Sequence, residues 1–328
     1  MKIGRFAIQS ENTTEMFDKI IIKARIDIED IDTIVLKNYL EQCSEGDEVY
    51  YKSTSYANFD GCFIELRGDK IRCKCSIHKL YSKGKTGKLD NSRPMTFAIA
   101  VRTIRELLLR LCIKPENAVV TYYEVGLTMK MSHPADVYIK QVQEACGRAL
   151  WNDANFPEFR QKTTEKSKYF RKVLKIYDKT FEAGEKGHHV GTNILRIETV
   201  YRHQSVPISE LTDNLFLLKI GRIFYKDWSE LQFIRELSAS KGIKMSQLDR
   251  AREIHRIGVT RYKERYRKMF LAGKLTKKQW ETIRNFARAW PKEKEMYIEE
   301  IGEFEKEFKD KLLSYFQIGT ITLPKKKI

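Results

Sequence analysis

The chain has 328 residues, 42% of them hydrophobic, and is therefore long enough to bury the core of one large or two ordinary domains. Its 61 Lys and Arg residues against 44 Asp and Glu residues give a formal net charge of +17, an excess that attracts polyanions such as nucleic acids. No stretch approaches the roughly 18–20 apolar residues of a membrane span, the first residues lack the apolar core of a secretory signal, and the six cysteines form no CxxC pair, so we expect a cytoplasmic protein with free thiols and no membrane partner.

The first elements predicted along the chain are a hairpin and a helix. Residues 62–77 predict the hairpin, because apolar and polar residues alternate on both sides of the turn sequence RGDK. Residues 97–111 predict the helix, because their apolar residues fall at helical spacing. We expect this helix to pack on one face of the sheet to which the hairpin belongs.

A strand with an acidic residue on its polar face is predicted next, for residues 119–130. There Val119 and Tyr123 share the apolar face, while Glu124 lies on the more polar one. The following segment SHPADVYIKQVQEACGRAL, residues 132–150, predicts a helix, because its proline suits a first helical turn.

Two further strands, residues 170–178 and 194–203, are predicted on either side of the glycine-rich loop EAGEKGHHVG. If they pair antiparallel, the following side chains converge on one patch of the sheet: Tyr177, Lys179, Arg196, Glu198 and, from the neighbouring strand, Glu124. A phenol nucleophile, carboxylates for a divalent cation and cationic side chains suffice for transesterification at a phosphodiester. Alternating charge on a strand is also typical of an ordinary solvated face, and the chain has 16 tyrosines.

The sequence after about Trp228 predicts helices, so we expect two domains: an α+β domain of residues 1–228 and an all-helical, basic domain of residues 229–328. Between residues 246 and 294 there are 15 Lys and Arg residues against 5 Asp and Glu residues. Such a concentration is typical of a nucleic-acid footprint.

A helix-turn-helix is one interpretation of this basic region. Thr276 and Gln279 have the spacing of a capping box, at the start of a helix that carries Lys277, Arg284 and Arg288 on one face. The preceding helix is predicted to end near the glycine of LAGK. Any basic helical hairpin has the same pattern, so DNA docking by this element and a purely structural hairpin both remain open.

The strings YDKTFE and LRIET resemble the YxKxxE and RxE elements of the gene II type replication initiators of filamentous phages and of related plasmid initiators of the replication initiation factor type. IRCKCSIHKLYSKG and TYYEVGLTMK extend the resemblance, which covers about residues 50–205. It implies a metal-dependent endonuclease related to the HUH superfamily, with an antiparallel sheet arranged as a ferredoxin-like palm. It also implies a covalent 5′-phosphotyrosine intermediate and a released 3′-hydroxyl that primes synthesis.

Carried over to this chain, the resemblance implies roles for single residues. Tyr177 would be the nucleophile, with Lys179 and Arg196 as phosphate contacts. The acidic residues implied for a Mg²⁺ or Mn²⁺ site are Glu124, Glu182 and Glu198. DNA contacts are expected from Lys79, in the matched turn region, and from Lys277, Arg284 and Arg288.

Two features of the chain bear on these roles. It lacks the His-hydrophobe-His motif of better-known superfamily members, so metal ligation would rest on glutamates and on one of the candidates His78, His188, His189 and His203. Second nucleophiles or base-stacking platforms could come from Tyr122, Tyr123, Tyr169 and Tyr201, for which packing is the alternative.

The expected function is therefore rolling-circle replication initiation, by nicking one strand at an origin and rejoining it through strand transfer. The expected partners are a single-stranded origin site and the adjoining duplex, and a host helicase and polymerase. A relaxase of a mobilisable element, an origin-binding protein without catalysis and a nuclease that uses water as nucleophile are the alternatives.

Overall fold

The computed structural model describes residues 5–6, 17–53, 61–89, 95–163, 171–235, 237–239, 242–299, 301–316 and 318–319. The strands are β1 (Arg5–Phe6), β2 (Lys19–Arg25), β3 (Glu41–Glu45), β4 (Glu48–Lys52), β5 (Cys62–Arg67), β6 (Lys70–Ser76), β7 (Ala118–Lys130), β8 (Val142–Ala145), β9 (Arg148–Asn152), β10 (Arg160–Thr163), β11 (Lys172–Asp178), β12 (Ile194–Pro207), β13 (Gln232–Phe233), β14 (Leu237–Ala239), β15 (Tyr297–Glu299) and β16 (Ile318–Gly319). The helices are α1 (Ile31–Lys37), α2 (Ile77–Thr86), α3 (Phe97–Arg110), α4 (Ala135–Gln141), α5 (Lys179–Glu185), α6 (Ile208–Leu211), α7 (Asn214–Ser229), α8 (Met245–Ile257), α9 (Val259–Leu271), α10 (Lys277–Glu293) and α11 (Glu303–Tyr315).

Twelve strands of the described chain form one antiparallel sheet, and the long strands β7 and β12 lie near its centre. The strand order is β13-β8-β9-β10-β11-β12-β7-β2-β6-β5-β4-β3. Helices α3 and α7 contribute buried apolar residues to the same core as one face of β7 and β12. This mixture of helices and antiparallel sheet confirms the predicted α+β class.

The predicted hairpin of residues 62–77 is confirmed as β5 and β6, in which Cys62 lies opposite Cys75. The strand predicted for residues 119–130 is confirmed as β7, but its faces differ from strict alternation. Ile21 of β2 lies opposite Tyr122, whereas Ile22 lies opposite Val120, so β7 contains one extra residue at this point. Residues of β7 before this bulge therefore project from the opposite face to the one that strict alternation predicts. As a result Val120 is buried, where Val119 was expected to be.

Two other predictions are corrected by the structure. The helix predicted for residues 132–150 ends at Gln141, and β8 and β9 follow as a hairpin whose two-residue turn is Cys146 and Gly147. The predicted loop EAGEKGHHVG begins inside helix α5, because the side chain of Asp178 accepts a hydrogen bond from the Phe181 amide and caps that helix. The start of the strand predicted for residues 170–178 lies outside the described residues, and β11 runs from Lys172.

The carboxy-terminal region is divided between two hydrophobic cores. Helices α8, α9 and α10 pack around a separate core centred on Ala251, Tyr262 and Trp290, and the short strands β14 and β15 join it. Helix α11 instead buries Phe308 and Leu312 in the core of the main sheet. The described residues between 229 and 328 are therefore neither all-helical nor one packing unit. No helix of the described chain is long and apolar enough to cross a membrane.

Candidate active site

Pairing of three neighbouring strands brings the predicted polar side chains together. In the β11–β12 pair, Tyr177 lies opposite Arg196 and Lys175 lies opposite Glu198. In the β12–β7 pair, Glu198 lies opposite Gly126. Directly opposite residues of antiparallel strands project from the same face, so these side chains share one side of the sheet.

The phenol of Tyr177 and the guanidinium of Arg196 meet on one carboxylate. The Tyr177 hydroxyl donates a hydrogen bond of 2.7 Å to Oε1 of Glu198, and Nε of Arg196 donates one of 2.8 Å to the same oxygen. Nη1 of Arg196 also donates to the hydroxyl of Thr128, at 3.0 Å. Arg196 is 1% exposed and Tyr177 is 6% exposed, so a buried network of charge-assisted hydrogen bonds orients the phenol.

Three buried carboxylates form an acidic group in this site. Asp18, Glu124 and Glu198 each offer one oxygen, and these oxygens lie within 4.8 Å of one another. Asp18 is held just before β2, where its amide donates to the carbonyl of Glu124 and its carboxylate accepts a hydrogen bond of 2.9 Å from Ser76. Sequence reasoning missed Asp18, because it lies outside the segment that resembles the initiators and reaches the site only through pairing of β2 with β7.

The electrostatic environment separates the pKa values of these carboxylates. Burial and the charge of Glu198 raise the pKa of both Asp18 and Glu124. Burial also acts to raise the pKa of Glu198, but the charges of Arg196 and Lys175 and the hydrogen bonds from Arg196 and Tyr177 outweigh it and lower that pKa to about 2. Burial and the charge of Glu198 raise the pKa of the Tyr177 phenol. Glu198 therefore stays ionised, whereas Asp18 and Glu124 retain protons more readily.

The donor set of the acidic group fits a hard divalent cation. Lys175 Nζ lies 3.2 Å from Glu124 and 3.6 Å from Glu198, and Arg196 lies 3.4 Å from Asp18. The charges of Lys179 and Lys19 also act on Asp18, and that of Lys19 acts on Glu124. Three buried carboxylate oxygens this close together suit Mg²⁺ or Mn²⁺, because such ions prefer carboxylate ligands.

Lys179 and Glu182 lie beside this group rather than in it. Lys179 is the first residue of α5, and its ammonium lies 2.9 Å from Glu182. Glu182 also contacts Lys186 at 2.6 Å and Arg160 at 3.8 Å. Burial acts to raise the pKa of Glu182, but Lys179 and Lys186 lower it. The helix that starts after Asp178 thus directs Glu182 to basic partners, and the structure does not bring it into the group of three carboxylates.

Two residues of helix α2 border the same site. His78 is buried, with Nδ1 3.9 Å from Asp18. Burial and the positive charges of Lys186 and Lys19 lower the pKa of Lys79, although the nearby carboxylates of Asp18 and Glu182 oppose this. Lys79 is half-buried. Its contact with DNA stays a prediction.

The other predicted DNA contacts lie on helix α10, in the separate helical unit. Its capping box has the expected form, since Thr276 and Gln279 exchange hydrogen bonds with each other's amides. Lys277 and Arg288 are exposed, and Arg284 is half-buried. Helix α9 ends at Leu271 and α10 begins at Lys277, so a helical hairpin is present while DNA docking by it stays a prediction.

Among the other tyrosines considered as nucleophiles, Tyr122 has the environment most similar to that of Tyr177. Its hydroxyl donates a hydrogen bond to Glu124, and burial and the charge of Glu124 raise its pKa. Tyr123 and Tyr201 stack on each other with ring centroids 4.7 Å apart, in the hydrophobic core. Tyr169 lies outside the described residues.

Comparison with known proteins finds a coarse structural likeness. No model of a protein family matches the chain, and no curated protein sequence matches it. A solved structure described as the rolling circle replication initiator protein from Geobacillus stearothermophilus aligns with 70% of this chain and 89% of that chain, at 9% sequence identity and a TM-score of 0.35.

Proposed function

We propose that this protein initiates rolling-circle replication by nicking one DNA strand, with the Tyr177 hydroxyl as nucleophile. The observation that carries the proposal is the 2.7 Å hydrogen bond from this hydroxyl to Glu198, within a group of three buried carboxylates flanked by Arg196 and Lys175. The resemblance of YDKTFE and LRIET to elements of gene II type initiators supports the same assignment.

In the proposed reaction the phenol oxygen of Tyr177 attacks the scissile phosphorus. A bond forms between this oxygen and phosphorus, and the bond to the 3′-oxygen of the preceding nucleotide breaks. The phenol proton passes to solvent as this bond forms, and the departing 3′-oxygen takes up a proton from solvent to become a free hydroxyl. Glu198, whose pKa is about 2, orients the phenol and does not keep the proton. Arg196 and Lys175 stabilise the negative charge that develops on the phosphate oxygens. Attack by that 3′-hydroxyl or by another one on the phosphotyrosine reverses the step and rejoins the strand.

Asp18, Glu124 and Glu198 would hold the divalent cation in this proposal. When bound, such an ion polarises a phosphoryl oxygen and neutralises charge in the transition state. Tyr177 and Arg196 take their positions from hydrogen bonds to Glu198 and Thr128, so the chain orients its nucleophile through its own residues. An extended single strand is the expected substrate, because a nucleophile that is 6% exposed is poorly accessible to a phosphate within a stacked duplex.

Trapping of the protein–DNA adduct tests the proposal. The protein is incubated with 5′-labelled and 3′-labelled single-stranded oligonucleotides that span its own replicon's origin, with Mn²⁺ or with EDTA, and resolved on denaturing gels. We expect a metal-dependent adduct that carries the 3′ label, and peptide mapping should place the nucleotide on Tyr177. Cleavage without attached protein would indicate water as the nucleophile, and binding without cleavage would indicate an origin-binding protein.

Divalent-cation binding should become stronger as pH rises. The raised pKa values of Asp18 and Glu124 mean that, between the ordinary and the raised values, the folded state binds more protons than the unfolded state. The free energy of unfolding therefore falls as pH rises through that window, and a cation that replaces the protons restores it. At a Mn²⁺ concentration 100 times the Kd, we expect about 2.7 kcal/mol of stabilisation.

Calorimetric melting temperatures with and without Mn²⁺ measure this effect. The Mn²⁺-induced rise should be larger at pH 8 than at pH 5.5 and should be lost in Asp18→Asn and Glu124→Gln. Glu182→Gln is the matched control and should keep the rise, because Glu182 contacts Lys179 and Lys186. A rise lost in Glu182→Gln but kept in Asp18→Asn would place the cation elsewhere.

Binding of duplex DNA should depend on the exposed cations of helix α10. We expect the double variant Lys277→Ala, Arg288→Ala to bind duplex DNA more weakly. The plot of log K against log salt should become less steep by about 1.8, which is about 0.9 for each lost phosphate contact. Lys37→Ala, Lys306→Ala removes the same charge from exposed positions of α1 and α11 and should change the slope little. Equal slopes for both double variants would argue against docking by α10.

A further inference from the structure

An aromatic pocket of about 240 Å³, which Asp178 and Glu182 also line, lies next to the nucleophile, on the side of Tyr177 away from Glu198. It forms between the turn before β10 and the first turns of α5. The lining residues that matter here are Phe156, Phe159, Phe181, Arg160, Glu185 and Lys186. Three half-buried phenylalanines around one opening are unusual on the surface of a protein with a net charge of +17.

The backbone around this pocket is fixed by hydrogen bonds. The amides of Phe159 and Arg160 both donate to the carbonyl of Phe156, at 3.2 and 3.0 Å. The amide of Asp178 donates to the carbonyl of Phe159, and the carboxylate of Asp178 caps α5 at Phe181. The rings of Phe159 and Phe181 are stacked with centroids 3.9 Å apart, and the Phe156 ring meets the Phe181 ring edge-on. The aromatic walls therefore stand in place before any ligand binds.

Arg160 connects the pocket to the proposed nucleophile. It lies opposite Tyr177 in the β10–β11 pair. Its guanidinium lies 5.3 Å from the centre of the Tyr177 ring and 5.5 Å from the centre of the Phe156 ring. The Arg160 side chain thus contacts both the Tyr177 ring and the pocket. A phosphate at Tyr177 and the base of an adjacent nucleotide in the pocket could therefore belong to one strand.

We propose that this pocket receives the unstacked base of a nucleotide beside the scissile phosphate. The inference rests on the proposed nicking function. Base faces stack on aromatic rings and on arginine planes, and a cavity smaller than the roughly 300 Å³ of the smallest drug-sized sites suits one planar ring system. Glu185 and Lys186 are exposed at the rim. The Glu185 carboxylate can accept hydrogen bonds from exocyclic amino groups, and the Lys186 ammonium, 2.6 Å from Glu182, has further protons to donate to ring nitrogens or keto oxygens.

Removal of single bases from the substrate tests this proposal independently of the chemistry. The protein is Tyr177→Phe, so that no adduct forms, and its affinity for a fluorescein-labelled single-stranded oligonucleotide spanning the nick site is measured by anisotropy. In a series of oligonucleotides, one base at a time is replaced by an abasic tetrahydrofuran residue. We expect one position next to the nick at which this replacement weakens binding by about 5- to 150-fold.

The same series is then measured with Phe159→Leu added. This change should weaken binding of the intact strand by a similar factor and should make the sensitive position insensitive to base removal. Phe159→Tyr keeps the ring and should restore the sensitivity, while Phe270→Leu, which disrupts a stacked pair with Trp280 in the helical unit, should leave it unchanged. A base-removal profile that is identical in the parent and in Phe159→Leu would overturn the proposal. If the wild type forms no adduct but the sensitive position remains, the nicking function fails while the base pocket stands.

Discussion

Replacing Tyr177 with phenylalanine is expected to abolish adduct formation, because it removes the attacking oxygen and nothing else. The ring keeps its contact with the Arg160 guanidinium, so affinity for single-stranded DNA should change little. The free energy of unfolding should fall by about 1–3 kcal/mol, since Glu198 loses one hydrogen bond from a buried donor. Denaturing gels, anisotropy and chemical unfolding measure the three quantities.

The matched control is Tyr122→Phe. Tyr122 also donates a hydrogen bond to a carboxylate of the acidic group, Glu124, and its phenol pKa is also raised. Loss of this hydroxyl alters the same electrostatic network without removing the proposed nucleophile, so adduct formation should continue at a reduced rate. Adduct formation that survives Tyr177→Phe and disappears in Tyr122→Phe would transfer the nucleophilic role to Tyr122.

Sequence patterns were sufficient for the centre of this site because β11 and β12 are consecutive strands that pair with each other antiparallel. Strands β11 and β12 alternate regularly, and antiparallel pairing across one connection sets Tyr177 against Arg196. Alternation in β7 likewise placed Glu124 on the polar face. Val119 was assigned to the wrong face because a bulge adds one residue to β7, and nothing in a run of apolar and β-branched residues marks where a bulge falls.

Capping and long-range pairing account for most of what the sequence did not predict. Lys179 was expected beside Tyr177 on the sheet and Glu182 was expected in the metal site, whereas Asp178 caps a helix that turns Glu182 towards Lys179 and Lys186. The aspartate at that position was a usable signal, because aspartate is a preferred helix-capping residue. Asp18 offered no comparable signal, since it joins the acidic group only when β2 pairs with β7 about a hundred residues further along the chain.

The hairpin of β8 and β9 shows a different limit of sequence patterns. Its turn residues, Cys146 and Gly147, both have positive φ, of 51° and 66°. Such a turn matches the twist of paired strands, but cysteine is an uncommon residue at its first position, where asparagine or aspartate is the usual marker. The apolar residues around this turn fit helical spacing equally well. The sequence therefore predicted a helix that continues past Gln141 and did not predict the hairpin.

Gly126→Ala is the second change for which we expect a large effect, although the site contains no reactive group at this position. A Cβ atom on Gly126 would lie 2.8 Å from Nη2 of Arg196 and 3.3 Å from Cγ of Glu198. Arg196 cannot swing away freely, because it is 1% exposed and is bound to Glu198, Thr128 and Asp18. Overpacking of this kind costs about 1–3 kcal/mol of stability, and a displacement of about 1 Å at a catalytic group costs about 10²-fold in rate.

Because Gly126 has no side chain, the Arg196 guanidinium has room to lie against β7 and to hold Glu198 for the Tyr177 hydroxyl. Gly84→Ala is the control, because a Cβ there meets nothing within 4 Å and alanine favours helix α2. Single-turnover adduct formation should fall by about 10²-fold or more in Gly126→Ala and remain at the wild-type rate in Gly84→Ala. A Gly126→Ala protein that folds with full activity would mean that the position of Arg196 does not govern the reaction, and the role assigned to Arg196 in charge stabilisation would have to be abandoned.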